Sequence, residues 1–211
     1  MKKFINELST SKAAMVVGIA FITSVLIVTL VDDFLLANFV VPGDTEALAK
    51  DIKASGKLFG FAIIGYLIIL VLDSIIALAL YVVLKPANKY FATLTAVLRI
   101  LYAFILIIGL FCLAIHIIDV YAYASLKLIG YIFFALHIFI LGYSVLKSGY
   151  IPKSIGILLV VASFTYIVFF VDLNLPEILG VTTMLTMLIA ELSLSIWLMV
   201  NRKAIPENKL Y

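Results

Sequence analysis

Charged residues are scarce in this chain, and cysteine is almost absent. Only 13% of the 211 residues are charged, whereas about 25% are charged in an ordinary soluble domain. Hydrophobic residues make up 65% of the chain, against roughly 45–50% in such a domain. A soluble fold of this length could not hide so much apolar surface, whereas a lipid bilayer accepts it. The single cysteine, Cys112, lies in an apolar run and allows no intrachain disulfide. The composition predicts one integral membrane domain over residues 1–211.

The chain also lacks the short motifs of common catalytic classes. It contains no paired-cysteine, His-Glu-x-x-His, phosphate-loop or Gly-x-Ser-x-Gly pattern. No cofactor is implied, and a role other than catalysis is favoured. The net charge of +3 is small, and we expect no nucleic-acid partner.

Six apolar runs have roughly the 20 residues that a helix needs to cross about 30 Å of hydrocarbon. Helices are preferred over open strands because lipid satisfies no backbone hydrogen bond. The sequence therefore predicts an all-α, polytopic bundle of six transmembrane helices. Their expected bounds are 13–31, 58–84, 90–117, 128–146, 154–171 and 179–200, with a long outer loop at 32–57 that contains a short helix over 46–54. No small-residue cleavage site follows the first run, so it is interpreted as a retained helix rather than a signal peptide.

Basic residues at alternate helix boundaries set the predicted orientation. Ten Lys and Arg residues fall on one side of the predicted bundle and four on the other. Cytoplasmic loops carry the excess of such residues, so both termini are predicted to be cytoplasmic, in a protein of the cell membrane. The ten are Lys2, Lys3, Lys12, Lys85, Lys89, Lys147, Lys153, Arg202, Lys203 and Lys209, and the four are Lys50, Lys53, Lys57 and Lys127.

Four ionisable residues interrupt the apolar runs: Asp73, Arg99, His137 and Glu191. They lie ten to twelve residues from the nearest basic residue on the predicted cytoplasmic side, which is about 15–18 Å deep at the helical rise. Charged and facing lipid, the two acids and the arginine would together cost about 9 kcal/mol. They are therefore predicted to face inward, with Arg99 between Asp73 and Glu191, because a guanidinium can donate to two carboxylates. The remaining negative charge requires either a protonated His137 or a proton on one carboxyl group.

Further polar residues at similar depth are candidates to line a cavity beside this network, although hydroxyls in membrane helices often bond their own backbone. The candidates are Thr23, Ser163, Tyr102 and Tyr166, with Ser24, Thr165 and Tyr66 as secondary ones.

A metal site is the main alternative use of the same residues. His137, Glu191 and Asp73 are ligand types that suit zinc or iron, and an intramembrane hydrolase would use such a metal to activate water. Only one histidine lies at the right depth, however, and Arg99 competes for the carboxylates. No metal site is predicted. The other histidine, His116, is interpreted as a residue of the membrane interface.

Several segments of the chain carry a family resemblance. They are 41–44, 73–81, 84–89, Leu98-Arg99, Phe134-Ala135-Leu136-His137, 142–143, 148–156, Ala190-Glu191-Leu192-Ser193-Leu194 and 197–198. These segments resemble an uncharacterised prokaryotic multi-pass membrane family, known as domain of unknown function 4386. The resemblance covers nearly the whole chain. It implies a helical bundle of this size and makes the four buried ionisable positions features of the family, but it implies no activity.

The sequence thus predicts a membrane protein with a mid-membrane ionisable site that binds or transports a small ligand, with proton coupling as an option. Two alternatives stay open, an intramembrane metal-dependent enzyme and a structural or assembly subunit without ligand. The expected partners are the lipid bilayer, an unidentified small ligand and a second copy of the chain in a homo-oligomer.

Overall fold

The computed structural model describes residues 8–31, 56–115, 117–118, 120–170 and 177–207. The predicted short helix of the outer loop, the segment 41–44 and His116 lie outside the described residues.

The described part of the chain is helical. Its elements are α1 (Thr10–Thr29), α2 (Gly56–Leu84), α3 (Lys89–Ala114), α4 (Val120–Ser148), α5 (Lys153–Phe170) and α6 (Glu177–Val200), followed by a short 3-10 helix at Arg202–Ala204. The all-α class is therefore confirmed, and each of the six helices coincides with one of the predicted apolar runs.

Three predicted boundaries differ from the structure by three residues or more. Helix α1 begins at Thr10 rather than at 13, after the N-cap residue Ser9. Helix α3 ends at Ala114 rather than at 117, because Ile115 leaves the helical conformation with φ −97° and ψ 14°. Helix α4 begins at Val120 rather than at 128. The charge of Lys127 does not end the apolar helix there, because its ammonium group lies 5.9 Å from the ring centres of both Tyr123 and Tyr131, a distance at which an aromatic face attracts a cation.

Local capping explains where other helices begin and end. Ser9 accepts a hydrogen bond from the backbone N–H of Lys12 at 3.3 Å, and the side chain of Asn88 accepts one from the N–H of Tyr90 at 2.9 Å. Such side chains satisfy amide groups that have no partner within the first helical turn. After α4, Gly149 has a φ of 75°, a conformation that favours glycine and turns the chain toward α5.

Five of the helices, α1 to α4 and α6, are long and apolar enough to cross a membrane. The apolar part of α5 covers Lys153–Val168 and is shorter. Large apolar side chains are exposed on the outside of the bundle, among them Phe61, Phe104, Phe111 and Phe164. A soluble protein rarely exposes such a continuous apolar surface, whereas lipid solvates it, so the fold is that of a membrane protein. The sixth span and the orientation of the termini stay predictions.

The six helices form a closed ring. Each helix packs against its neighbours in the chain, and α1 packs against α6 to complete the ring. The 3-10 helix contacts α1 and α6, and the backbone N–H of Thr10 donates to Glu207 at 3.2 Å. The centre of the ring is therefore enclosed by all six helices.

Small residues bring α4 and α5 into close contact. A Cβ atom built on Gly142 would lie 2.9 Å from the carbonyl oxygen of Gly156 and 2.9 Å from the backbone nitrogen of Val160. Near the same end of the bundle, the Tyr150 hydroxyl donates to the carbonyl oxygen of Val83 at 2.7 Å. Burial raises the pKa of the Tyr150 phenol, so it keeps this proton at neutral pH and joins the α4–α5 turn to α2.

Candidate functional site

Four helices each place one ionisable side chain at the centre of the ring. Asp73 on α2, Arg99 on α3, His137 on α4 and Glu191 on α6 are 5%, 3%, 0% and 6% exposed. These are the four residues that their depth in the sequence singled out, and the structure brings them together in one cluster, called the buried cluster below. A fifth helix, α5, contributes Tyr166 to it.

Arg99 is bonded most closely to Asp73. Its Nε donates to Asp73 Oδ1 at 3.0 Å, and its Nη2 donates to the same oxygen. Both partners are charged and buried, and charge-assisted hydrogen bonds of this kind are stronger than neutral ones. The geometry is that of an ion pair, in which the Asp73 carboxylate balances the charge of Arg99.

The hydrogen bonds of His137 define its protonation state. Its Nδ1 lies 2.8 Å from the carbonyl oxygen of Thr95, and a carbonyl oxygen only accepts, so Nδ1 carries a proton. Its Nε2 lies 3.2 Å from Arg99 Nη1, and a guanidinium only donates, so Nε2 is an acceptor. His137 is therefore neutral. Of the two ways to balance the cluster's charge, the protonated histidine does not fit this geometry.

Glu191 is held differently from Asp73. Its Oε1 accepts a hydrogen bond from the hydroxyl of Tyr166. Its Oε2 lies 3.7 Å from Arg99 Nη1, which is beyond the usual hydrogen-bond distance of 2.7–3.2 Å. Arg99 does lie between the two acids, but its contact with Glu191 is the loose one.

Aromatic rings cover the cluster, and here the sequence analysis missed a residue. The ring centre of Phe134 lies 5.1 Å from Arg99 Cζ, within the range of a cation–π contact. The same ring packs against Tyr102 at 4.7 Å and Tyr166 at 5.0 Å. Phe134 lies one helical turn before His137, and this spacing was the available signal. The backbone carbonyl of Thr95 was also not predicted, and no side-chain pattern could have revealed it. Ser195, one helical turn after Glu191, was not predicted either, and its spacing was the available signal.

The cavity beside the cluster is small. Its volume is about 10 Å³, room for no more than one water molecule. Its polar lining consists of Arg99, Glu191 and Ser195, and its apolar lining comes from Val17, Phe21, Ile76, Leu80, Leu141 and Leu194.

The predicted cavity-lining residues are not among the residues around this space. Tyr102 and Tyr166 pack on Phe134 instead, as described above. Ser163 donates to the carbonyl oxygen of Val160 at 2.6 Å within its own helix. Thr23 is half-buried on α1. The sequence did not indicate on which side of their helices these residues lie.

The three residues of the alternative metal site already have other partners. Arg99 holds Asp73, the two ring nitrogens of His137 face Arg99 and Thr95, and Tyr166 donates to Glu191. Among the described residues, no three His, Cys, Asp or Glu side chains are grouped as metal ligands would be. The guanidinium lies where the three candidate ligands would have to converge.

Comparison with known proteins gives a family but no chemistry. A family model described as "Domain of unknown function (DUF4386)" matches residues 16–118 and 113–201. An uncharacterised protein of Archaeoglobus fulgidus is 43% identical over 108 residues, which is 51% of this chain and 64% of that relative. The chain thus spans somewhat less than two thirds of the length of this curated relative. No solved structure matches.

Proposed function

Because the chain belongs to the family of the domain of unknown function DUF4386, whose description names no activity, we propose its function from the buried cluster. The protein binds or transports a small polar ligand, and the contact between Arg99 and Glu191 is the place where this ligand enters the cluster. The observation that supports this role is the unequal hold of Arg99 on its two acids.

Asp73 receives two N–H groups of Arg99, so it fixes the guanidinium. The 3.7 Å distance to Glu191 leaves Nη1 without a close hydrogen bond to that carboxyl group, and both residues line the small cavity. A ligand with both a donor and an acceptor could bridge guanidinium and carboxyl there, with the hydroxyl of Ser195 beside it. Widening this space requires movement of α6 relative to α3, since the two facing groups lie on these helices.

The proposal includes six membrane spans with both termini in the cytoplasm. Helix α5 has 18 residues, about 27 Å at the helical rise and close to the thickness of the hydrocarbon layer. It occupies a full position in the ring between α4 and α6. The ten-to-four distribution of basic residues supports the orientation and a location in the cell membrane.

Single cysteines test this topology after Cys112 has been replaced by alanine. Cysteines at Ser11, Ala87 and Ser148 should react with a membrane-impermeant maleimide only from the cytoplasmic side. Cysteines at Thr45 and Asn174 should react only from outside. A label at Ser148 and one at Asn174 that react from the same side would contradict the span by α5.

A second role, a lock that fixes helix register without any ligand, is favoured by the small volume of the cavity. Buried ion networks can serve that purpose, and removal of one partner from such a network is destabilising whether or not a ligand binds. Stability measurements therefore do not distinguish the two roles. A measurement of whether water and small solutes reach the cluster distinguishes them.

The experiment compares two buried serines in the Cys112→Ala background. Ser195 lines the cavity, whereas Ser144 is equally buried on α4 but bonds the carbonyl oxygen of Ile140 at 2.7 Å. A small charged methanethiosulfonate reagent should modify Ser195→Cys in native membranes and leave Ser144→Cys unmodified. If Ser195→Cys stays unmodified while an exposed cysteine reacts fully, the cluster is sealed and the lock is the correct role.

A further inference from the structure

We propose that Glu191 holds a proton in the folded protein at neutral pH and that loss of this proton tightens the cluster. The inference concerns a proton-binding site at the carboxyl group of Glu191. A proton on Glu191 requires no other ligand. The inference therefore rests on the proposed function only for the role that the proton plays in ligand binding.

Charge balance is the first step of the argument. Asp73 and Arg99 neutralise each other through two hydrogen bonds, and His137 is neutral because both ring nitrogens have their roles fixed by Thr95 and Arg99. An ionised Glu191 would therefore leave one uncompensated negative charge in the centre of the membrane. Such a charge is costly, and a buried group avoids the cost by becoming neutral.

The position of the proton follows from the contacts of the two acids. Asp73 accepts two donors from Arg99, which leaves it no reason to be protonated. Glu191 has its Oε2 at 3.7 Å from Arg99, so no direct charge-assisted hydrogen bond from Arg99 stabilises the ionised form of this carboxyl group. Its Oε1 accepts from Tyr166, and a carboxyl group accepts this bond in either protonation state.

Among the residues that the structure describes, no other group near Glu191 can supply the missing positive charge. Helix α5 presents Tyr166, a neutral donor. The charged or titratable groups from α2, α3 and α4 are Asp73, Arg99 and His137, already assigned, and the phenol of Tyr102, which packs on Phe134 and carries no positive charge. Helix α1 faces the cavity with the apolar Val17 and Phe21. The proton on Glu191 is the remaining way to balance the cluster.

Release of the proton changes the geometry in a defined direction. An ionised Glu191 is attracted to the N–H groups of Arg99 Nη1, and a charge-assisted hydrogen bond would shorten the 3.7 Å contact toward about 2.8 Å. The small cavity beside the cluster is lined by both residues, so their side chains have space to move. Proton exchange at Glu191 therefore couples to the distance between α3 and α6.

Infrared spectroscopy of the full-length protein in lipid tests the inference, because a protonated carboxyl group has a carbonyl stretch well separated from that of a carboxylate. Spectra of the unlabelled wild-type protein at pH 7 are compared with those of three samples. These are protein with ¹³C in the glutamate side-chain carboxyl group, protein with ¹³C in the aspartate side-chain carboxyl group, and the Glu191→Gln variant. The matched control is Glu207→Gln, which removes an exposed glutamate at the end of the chain.

One protonated-carboxyl band is expected in the wild-type protein. It should shift with labelled glutamate but not with labelled aspartate, disappear in Glu191→Gln and persist in Glu207→Gln. A band that shifts with labelled aspartate, a band that survives Glu191→Gln, or no band at all would overturn the inference. This outcome is independent of the test of the proposed function. If the glutamate band is present but Ser195→Cys is not modified, the cluster is sealed and holds a proton. If Ser195→Cys is modified but the band is absent, the cluster is a ligand site and the inference about the proton is wrong.

Discussion

Replacement of Arg99 by leucine is the sharpest perturbation of the buried cluster. The leucine fills part of the same volume but removes the two N–H groups that Asp73 accepts and the one that faces His137. Asp73 is then a carboxylate at 5% exposure with no counter-charge. Loss of one partner from a buried ion pair costs about 3–5 kcal/mol. We therefore expect Arg99→Leu to lower the free energy of unfolding in detergent by an amount in that range.

The second half of this prediction is a double-mutant cycle. Asp73→Asn removes the charge that Arg99→Leu leaves unpaired, so the double variant should recover about 0.5–3 kcal/mol relative to the sum of the two single changes. Arg202→Leu is the control, because it removes the only other arginine of the chain from a half-buried position after α6; it should change stability by less than about 0.5 kcal/mol. Strict additivity in the cycle, or a loss no larger than that of Arg202→Leu, would show that the ion pair does not stabilise the fold.

Three further outcomes are expected from thermal or chemical unfolding. The folded protein holds a proton on Glu191, whereas an unfolded glutamate loses it near pH 4.3. Above that pH the folded state binds more protons, so the free energy of unfolding of the wild-type protein should fall by up to about 1.4 kcal/mol per pH unit. Glu191→Gln should flatten that slope, and an unchanged slope would contradict the assignment. Gly142→Ala should cost about 1–3 kcal/mol because its Cβ meets backbone atoms of α5, whereas Gly60→Ala, whose Cβ would have nothing within 4 Å, should not destabilise; equal effects would argue against the close α4–α5 contact. Tyr166→Phe should cost about 1–3 kcal/mol through loss of a donor to a buried acceptor and alter the pH slope, while Tyr150→Phe should leave the slope as it is.

The helices were predictable because a single physical requirement, the length needed to cross hydrocarbon, left a strong pattern in the sequence. The exceptions have local causes. Lys127 looked like the end of an apolar run, but its position between two tyrosine rings allows α4 to continue for two more turns toward its N-terminus. The end of α3 depends on the backbone of Ile115, which no hydropathy pattern records.

The four ionisable residues of the site could be identified from the sequence, because an ionisable residue inside an apolar run is conspicuous and costly unless it faces inward. The direction in which the uncharged polar candidates face could not be predicted. Apolar residues surround Tyr102 on α3 and Ser163 on α5 on every side of the helical wheel, so hydrophobic periodicity could not say which way these two side chains would face. The state of His137 depends on the carbonyl of Thr95, a contact between two helices that only the folded backbone provides.

The short connection between α2 and α3 has a consequence for how the chain reaches the membrane. Asp73 and Arg99 lie on consecutive helices separated only by the turn from residue 85 to residue 88, so both belong to one helical hairpin. A hairpin that inserts as a unit brings the acid and the base into the bilayer already neutralised, and each charge avoids the cost of about 2.5–3.5 kcal/mol that it would meet alone. Glu191 is synthesised last and has no such partner, and as a protonated acid it needs none. The order of synthesis therefore matches the placement of charge. The neutral pair of Asp73 and Arg99 enters the membrane first, the neutral acid Glu191 enters last, and they come into contact only when α6 completes the ring.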